Sequence, residues 1–220
     1  MIKAVIFDFD GTLVDSNRIH LRNFKQCFRQ LFKVKALDSE LLPLFGRSAG
    51  EIVQAMLSKR GIAFTEAMVG EFVRLKVKLF LKDAKGKQLF SLRTKAFLKS
   101  LKAEGFKLAI ASGSLKPMVK ACLRKKDLRL FDAVASADEA KTAKPSPQIL
   151  KIALKRLNVK NSECLSIGDG LNDALSSKRA GVKFVALLSG AASRKDFERL
   201  KPLAIIKNLE DLKRVLRKLA

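Results

Sequence analysis

The chain contains no tryptophan, no tyrosine, one histidine and three cysteines among its 220 residues. Its aromatic content is 15 phenylalanines, whose purely apolar rings belong to cores rather than to the stacking platforms of single-strand nucleic-acid binders. Cys27, Cys122 and Cys164 are widely separated, odd in number and free of any Cys-x-x-Cys spacing. They exclude a disulfide framework or a cysteine zinc site and read as buried thiols in a reducing compartment. No stretch has the length and apolarity of a membrane span. Met1-Ile2-Lys3 leads straight into a strand pattern, without the apolar run and cleavage site of a secretory signal, so the expected location is cytoplasmic. Acid is scarce as well: 21 Asp and Glu face 45 Lys and Arg, a net charge of +24. The excess is spread along the whole chain. Such a surface steers anions of any kind and is compatible with loose polyanion binding, without naming a function.

What is present is a rhythm of short apolar runs at 4–9, 107–111, 132–136, 164–168, 183–187 and 204–206, most of them separated by amphipathic helical segments near 92–103, 115–126, 147–157, 172–180 and 193–200. Near-continuous apolar strands alternating with helices predict an α/β protein with a parallel sheet covered on both faces, and its chemistry at the carboxyl ends of the strands. Residues 16–87 break the rhythm. They read as helical at 18–33, 38–45, 49–60 and 65–83, with a Ser48/Glu51 capping box, Gly61 ending that helix and Thr65 as the next N-cap. The expected organisation is a core formed by residues 1–15 and 88–220, with a helical insert over 16–87.

Each strand end carries something polar. The stretch VIFDFDGTLVDS (5–16) places Asp8 and Asp10 two residues apart, followed by Gly11 and Thr12. Two carboxylates aimed at one spot raise each other's pKa unless a cation lies between them. After the 107–111 strand comes Ser112-Gly113-Ser114 at a helix start, a natural phosphate seat. Lys144 stands before Pro145, on a stiff loop where Ser146 is the expected N-cap and Pro147 the first helical residue. Gly168-Asp169-Gly170-Leu171-Asn172-Asp173 follows the 164–168 strand. Convergent carboxylates with one lysine and an anion-binding turn suit Mg²⁺ and a phosphate.

In this order, DFDGT, the Ser112 turn, Lys144 and GDGLND resemble the four motifs of the haloacid dehalogenase superfamily of phosphohydrolases. The insert resembles its C1 cap, as in the phosphoglycolate phosphatase and β-phosphoglucomutase branch. The resemblance implies a Rossmann-like core with an α-helical C1 cap. It implies that Asp8 attacks phosphorus, that Asp10 protonates the leaving oxygen and then activates water, and that Asp8, the Asp10 carbonyl, Asp169 and Asp173 hold Mg²⁺. Gly11, Thr12, Ser112, Gly113 and Lys144 would receive the phosphoryl group. His20 would orient Asp10 or touch substrate, and Arg47, in Gly46-Arg47-Ser48, would clamp the leaving group. The expected substrate is a small phosphorylated metabolite, phosphoglycolate-like or a sugar phosphate, handled by a monomer or a homodimer. Leu89-Phe90-Ser91-Leu92 departs from the proline-glycine pair usual after the cap in relatives.

Singly, each motif has a plainer reading: a turn, a helix start, a surface lysine, a cap-helix histidine, a solvated arginine before a capping box. Only their order at separate strand ends lifts them together. Two other functions share these features: a β-phosphoglucomutase-like mutase, disfavoured by GDGLND where that branch carries a Glu-Asp pair, and a basic nucleic-acid binder with a vestigial site.

Overall fold

The computed structural model describes residues 1–219. Six strands form one parallel sheet in the order β3-β2-β1-β4-β5-β6: β1 (Ala4–Phe7), β2 (Lys107–Ala111), β3 (Ala133–Ala135), β4 (Cys164–Gly168), β5 (Lys183–Leu187) and β6 (Ala204–Ile206). The central strand β1 is buried along its length. Its register aligns Phe7 with Ile110 of β2 and with Ile167 of β4, so the three central strands end at one level. Asp8, Ser112 and Asp169 leave the sheet along that edge.

The alternation of side chains along each strand sorts the core into two layers. Val5, Phe7, Leu108, Ile110, Leu165 and Ile167 face α5 (Leu92–Ala103), α6 (Lys116–Cys122) and α11 (Leu212–Arg217). Ala4, Ile6, Ala109, Ala111 and Cys164 face α8 (Gln148–Leu157), which contributes Ile149, Leu150, Ala153 and Leu154. Small residues on this second face let α8 approach the sheet closely.

Between β1 and β2 lie α1 (Asn17–Phe32), α2 (Asp38–Leu41), a 3₁₀ turn (Leu42–Leu44), α3 (Ala49–Lys59) and α4 (Glu66–Ala84). Phe24, Cys27 and Phe28 recur at helical spacing on α1 and close on Met56, Leu57 and Phe72 in a core separate from the sheet layers. Helix α4 joins the two. Phe72 belongs to the insert core, whereas Phe80 and Ala84 near its end belong to the sheet core. Ser48 accepts from the Glu51 amide while Glu51 accepts from the Ser48 amide at 2.9 Å, and Thr65 caps α4 through the Met68 amide.

Four local expectations shift. The first strand ends at Phe7, not 9. The helix expected at 115–126 is two pieces, α6 and α7 (Lys125–Leu128), because buried Leu123 takes an extended conformation. Pro147, not Ser146, is the N-cap of α8, although the Ser146 hydroxyl still accepts from the Gln148 amide at 3.4 Å. Helix α11 was not expected at all. All three cysteines are buried free thiols, and no helix among the described residues is long and apolar enough to cross a membrane.

Phe72 is fully buried, with its ring tilted by 57° to that of Phe28 and the centroids 4.8 Å apart. Phe72→Ala is expected to cost about 3–5 kcal/mol, read by denaturant unfolding as a loss confined to a transition reporting the insert if that core unfolds separately.

Candidate active site

The tight turn after β1 is held by hydrogen bonds from the Gly11 amide to the Val14 carbonyl and from the Leu13 amide to the Phe9 carbonyl. Gly11 has φ +82°, and a methyl group there would stand 2.2 Å from an Asp169 carboxylate oxygen. Glycine is therefore what allows the β4 turn to close on the β1 turn. The result is a cluster: Asp8, Asp169 and Asp173 are all buried and present carboxylate oxygens within 4.8 Å of one another. Asp173 lies in the first turn of α9 (Leu171–Ala180), where its carboxylate also accepts from the Gly170 amide at 3.0 Å.

One lysine holds the cluster from below. The Lys144 ammonium donates to Asp8 at 2.6 Å, to Asp173 at 2.7 Å and to the Ala111 carbonyl at 2.6 Å. Burial disfavours its charge, but the two carboxylates outweigh burial and push its pKa up. The acids are less well served. Burial, then Asp173, raises the Asp8 pKa well above the usual carboxylate value despite Lys144. Burial, then Asp173, lifts Asp169 to about 7. Three buried carboxylates sharing one ammonium carry excess negative charge, and their hard oxygen donors suit a divalent cation there.

Asp10 points elsewhere. Its carboxylate accepts from Ser16 at 2.5 Å, from Ser114 at 2.7 Å and from His20 Nε2 at 2.8 Å. Burial would raise its pKa, but His20 and the two hydroxyls overcome this and hold it well below the carboxylate range. The other ring nitrogen of His20 lies 3.0 Å from the ammonium of buried Lys76, which sits 4.5 Å over the Phe24 ring. Burial and the Lys76 charge lower the His20 pKa, and burial brings Lys76 down to about 8. A neutral His20 fits both contacts in one tautomer: Nε2–H donates to Asp10, and Nδ1 accepts from Lys76.

Above these groups lies a cavity of about 540 Å³ between the sheet edge and the insert. Its floor includes Asp8, Asp10, Gly113, Ser114 and Asp169; its roof includes Phe24, Phe45, Arg47 and Val73. The 45–47 loop is fastened to the core twice. Asn172 Nδ2 donates to the Phe45 carbonyl at 2.7 Å, and a methyl on Gly113 would stand 2.6 Å from the Gly46 carbonyl oxygen. Gly113 is thus where insert and sheet edge make backbone contact.

The comparisons with known proteins agree with this arrangement. The family model of the haloacid dehalogenase-like hydrolases matches residues 5–187. The chain belongs to that family. Among curated relatives, pyrophosphatase PpaX of Bacillus mycoides is 26% identical over 213 residues, covering 96% of this chain and 95% of its own. Among solved structures, a hydrolase from Pseudomonas syringae superposes with a TM-score of 0.89 at 23% identity, over 99% of both chains. A β-phosphoglucomutase from Clostridium difficile gives 0.86 at 19% identity, over 99% of this chain and 97% of its own. The haloacid dehalogenase-like α/β fold is therefore shown, and family and relatives together support a phosphatase-type enzyme.

Within this family member, Asp8, Asp169, Asp173 and Lys144 meet as the sequence predicts, and His20 reaches Asp10. Arg47 lines the cavity, and its buried Nε has no hydrogen-bond partner among the described residues. Three expected phosphate contacts lie differently. The Thr12 hydroxyl donates to Asp169 at 3.2 Å, the Ser112 hydroxyl accepts from the Ser114 amide at 2.9 Å, and the Gly11 carbonyl accepts from Ser189 at 2.7 Å. None of the three residues lines the cavity, and each has a hydrogen-bond partner in the protein. Ser16, Asn17, Lys76 and Ser114 belong to the site and were not singled out as site residues in the sequence. Lys76 stands in sequence among Arg74, Lys78 and Lys82, so nothing local marks it as the one that turns inward.

Because Asp169 is raised from 3.8 to about 7, its folded form binds a proton that the unfolded chain has lost. The metal-free protein therefore loses stability as pH rises from about 4 to about 7. Thermal melting should show that decline, Asp169→Asn should reduce it to the part contributed by Asp8, and a divalent cation should raise the melting temperature more at pH 8 than at pH 5. Equal cation stabilisation at both pH values contradicts a cation site on these acids.

Proposed function

We propose that this chain is a Mg²⁺-dependent phosphatase of a small phosphorylated metabolite, acting through an aspartyl-phosphate on Asp8. The observation that carries the reading is the Lys144 ammonium bonded at once to Asp8 and Asp173, with Asp169 in reach and the Gly113-Ser114 turn lining the same cavity. This is a nucleophile beside cations and facing an anion seat, the arrangement that phosphoryl transfer needs.

Asp8, Asp169 and Asp173, with the Asp10 carbonyl, would hold the magnesium ion, which supplies positive charge against the phosphoryl oxygens when bound. An Asp8 oxygen then forms the new bond to phosphorus as the bond to the leaving oxygen breaks. Lys144 favours the ionised form of Asp8, offsetting part of the effect of burial and Asp173. Asp10 delivers a proton to the leaving oxygen and afterwards takes one from the water that cleaves the aspartyl-phosphate. As it stands, Asp10 is held anionic by His20, Ser16 and Ser114, which suits the second half. For the first half a proton must arrive, and Lys76 and His20 form a hydrogen-bonded line to it. Lys76 would give its proton to Nδ1 while Nε2–H passes to Asp10.

Residues 16–87 are read as the cap and 1–15 with 88–220 as the core. The Leu89 carbonyl accepts from the Asp15 amide at 3.1 Å, tying together the two chain segments that cross between them. Closure over the cavity would exclude bulk water from the intermediate. The +24 charge would draw anionic substrates to the site.

With a panel of phosphate esters and Mg²⁺, stoichiometric release of inorganic phosphate is expected, falling at least about a thousandfold in Asp8→Asn while the melting curve remains cooperative. Isomerised sugar without phosphate release indicates a mutase instead, and wild-type rates in Asp8→Asn refute the nucleophile. At subsaturating substrate, kcat/KM should fall as salt is raised; no salt dependence argues against steering.

A further inference from the structure

The cavity above the acids is divided by chemistry. Its floor carries Asp8, Asp10, Asp169 and the Gly113-Ser114 turn, with Lys144 bonded to Asp8 behind them. The large apolar side chains of its wall include Phe24, Phe45, Ile52, Val73 and Val77 of the insert and Met118 of α6. The polar side chains that reach this upper part are mostly engaged already. Ser48 donates to Glu51, Asn17 to Asp169, and Lys76 to His20. Arg47 also lines the cavity, and its buried Nε has no hydrogen-bond partner among the described residues.

Resting on the phosphatase reading above, we propose that the leaving group of the natural substrate has an apolar body of several carbons and carries one acceptor oxygen that meets Arg47. The class is a phosphomonoester of an apolar alcohol or phenol, with a carboxylate or carbonyl at the far end. Three alternatives fit the wall less well. Pyrophosphate and phosphoglycolate are too short to leave the polar floor, and both would leave the cavity of about 540 Å³ mostly wetted apolar surface. A sugar phosphate would bring several hydroxyls against Phe24, Phe45 and Ile52, where few unengaged polar groups could replace their hydration, and each unpaired hydroxyl is costly to bury. Apolar carbon against those side chains gains what the hydroxyls would lose, and Arg47 is satisfied by one charge-assisted hydrogen bond.

The test is kcat/KM with Mg²⁺ over linear alkyl phosphates of increasing length, phenyl phosphate and ω-carboxyalkyl phosphates, beside pyrophosphate, phosphoglycolate and glucose 6-phosphate. The expected result is a rise approaching about fourfold per methylene until the cavity is full. A further gain from the terminal carboxylate should disappear in Arg47→Met. Val73→Thr, nearly isosteric, should flatten the dependence on length. Should either variant fail to fold, inhibition of the unmodified protein by alkylphosphonates of the same lengths must show the same slope. A flat series, or the highest kcat/KM on pyrophosphate, phosphoglycolate or glucose 6-phosphate, overturns the apolar leaving group and leaves the phosphatase reading standing. No turnover of any ester by a cooperatively melting protein overturns both.

Discussion

Three carboxylates removed from water around one ammonium set the terms for the rest of the molecule. A buried carboxylate without a partner would not remain charged, and a buried lysine without one would lose its proton. Lys144 is therefore placed where its three donors meet Asp8, Asp173 and the Ala111 carbonyl, each at 2.6–2.7 Å. That geometry requires the parallel register of β1, β2 and β4, whose ends lie level. It also requires the glycine at position 11 that lets Asp169 approach. The residual negative charge is what gives the site its demand for a further cation. Asp10, a few ångströms of chain away, is treated in the opposite manner, with two hydroxyls and an imidazole keeping it ionised.

The insert shares in this electrostatic arrangement. Lys76 and His20 both come from it, on α4 and α1, and His20 is wedged between Asp10 and the Phe80 ring, 4.5 Å away. The same helices supply Phe24 and Val73 to the roof of the cavity. Orientation of the acid–base group and shaping of the substrate space thus fall to one structural unit. Any movement of that unit changes both, because the 45–47 loop touches Asn172 and Gly113 of the two site turns. Fastening the loop to those turns places Arg47 at the substrate space without a covalent or metal link.

Solved structures share the fold at modest identity, and the physics of this chain is strict in one place and loose in another. Strand ends and their acids tolerate little variation, since each carboxylate is bonded to a specific partner. The cavity roof needs only side chains that fill space and match a leaving group, so proteins with one fold and one set of acids can differ in what they accept. In this chain the roof is largely apolar and includes Arg47, and the linker Leu89-Phe90-Ser91 has a buried Phe90 and a Ser91 that caps α5 through the Thr94 amide at 3.0 Å.

Much of this was legible from sequence alone because its causes are local. Apolar runs of strand length, the Ser48/Glu51 box, Thr65 and the four polar turns are encoded within a few residues of where they act. So the sheet strands, most helices and the meeting of Asp8, Asp169, Asp173 and Lys144 could be anticipated. What only the tertiary structure decided depends on groups far apart in the chain. Lys76 is a site residue because α4 turns it toward His20, 56 positions away; Ser114 acts on Asp10 across 104 positions and Asn17 on Asp169 across 152. Thr12 likewise meets Asp169 across 157 positions, whereas Ser112 accepts from the Ser114 amide only two residues on. The apolar roof belongs to this second kind: Phe24, Ile52 and Val73 each read as ordinary core positions on separate helices, and only the packing of those helices over the sheet edge leaves a space between them.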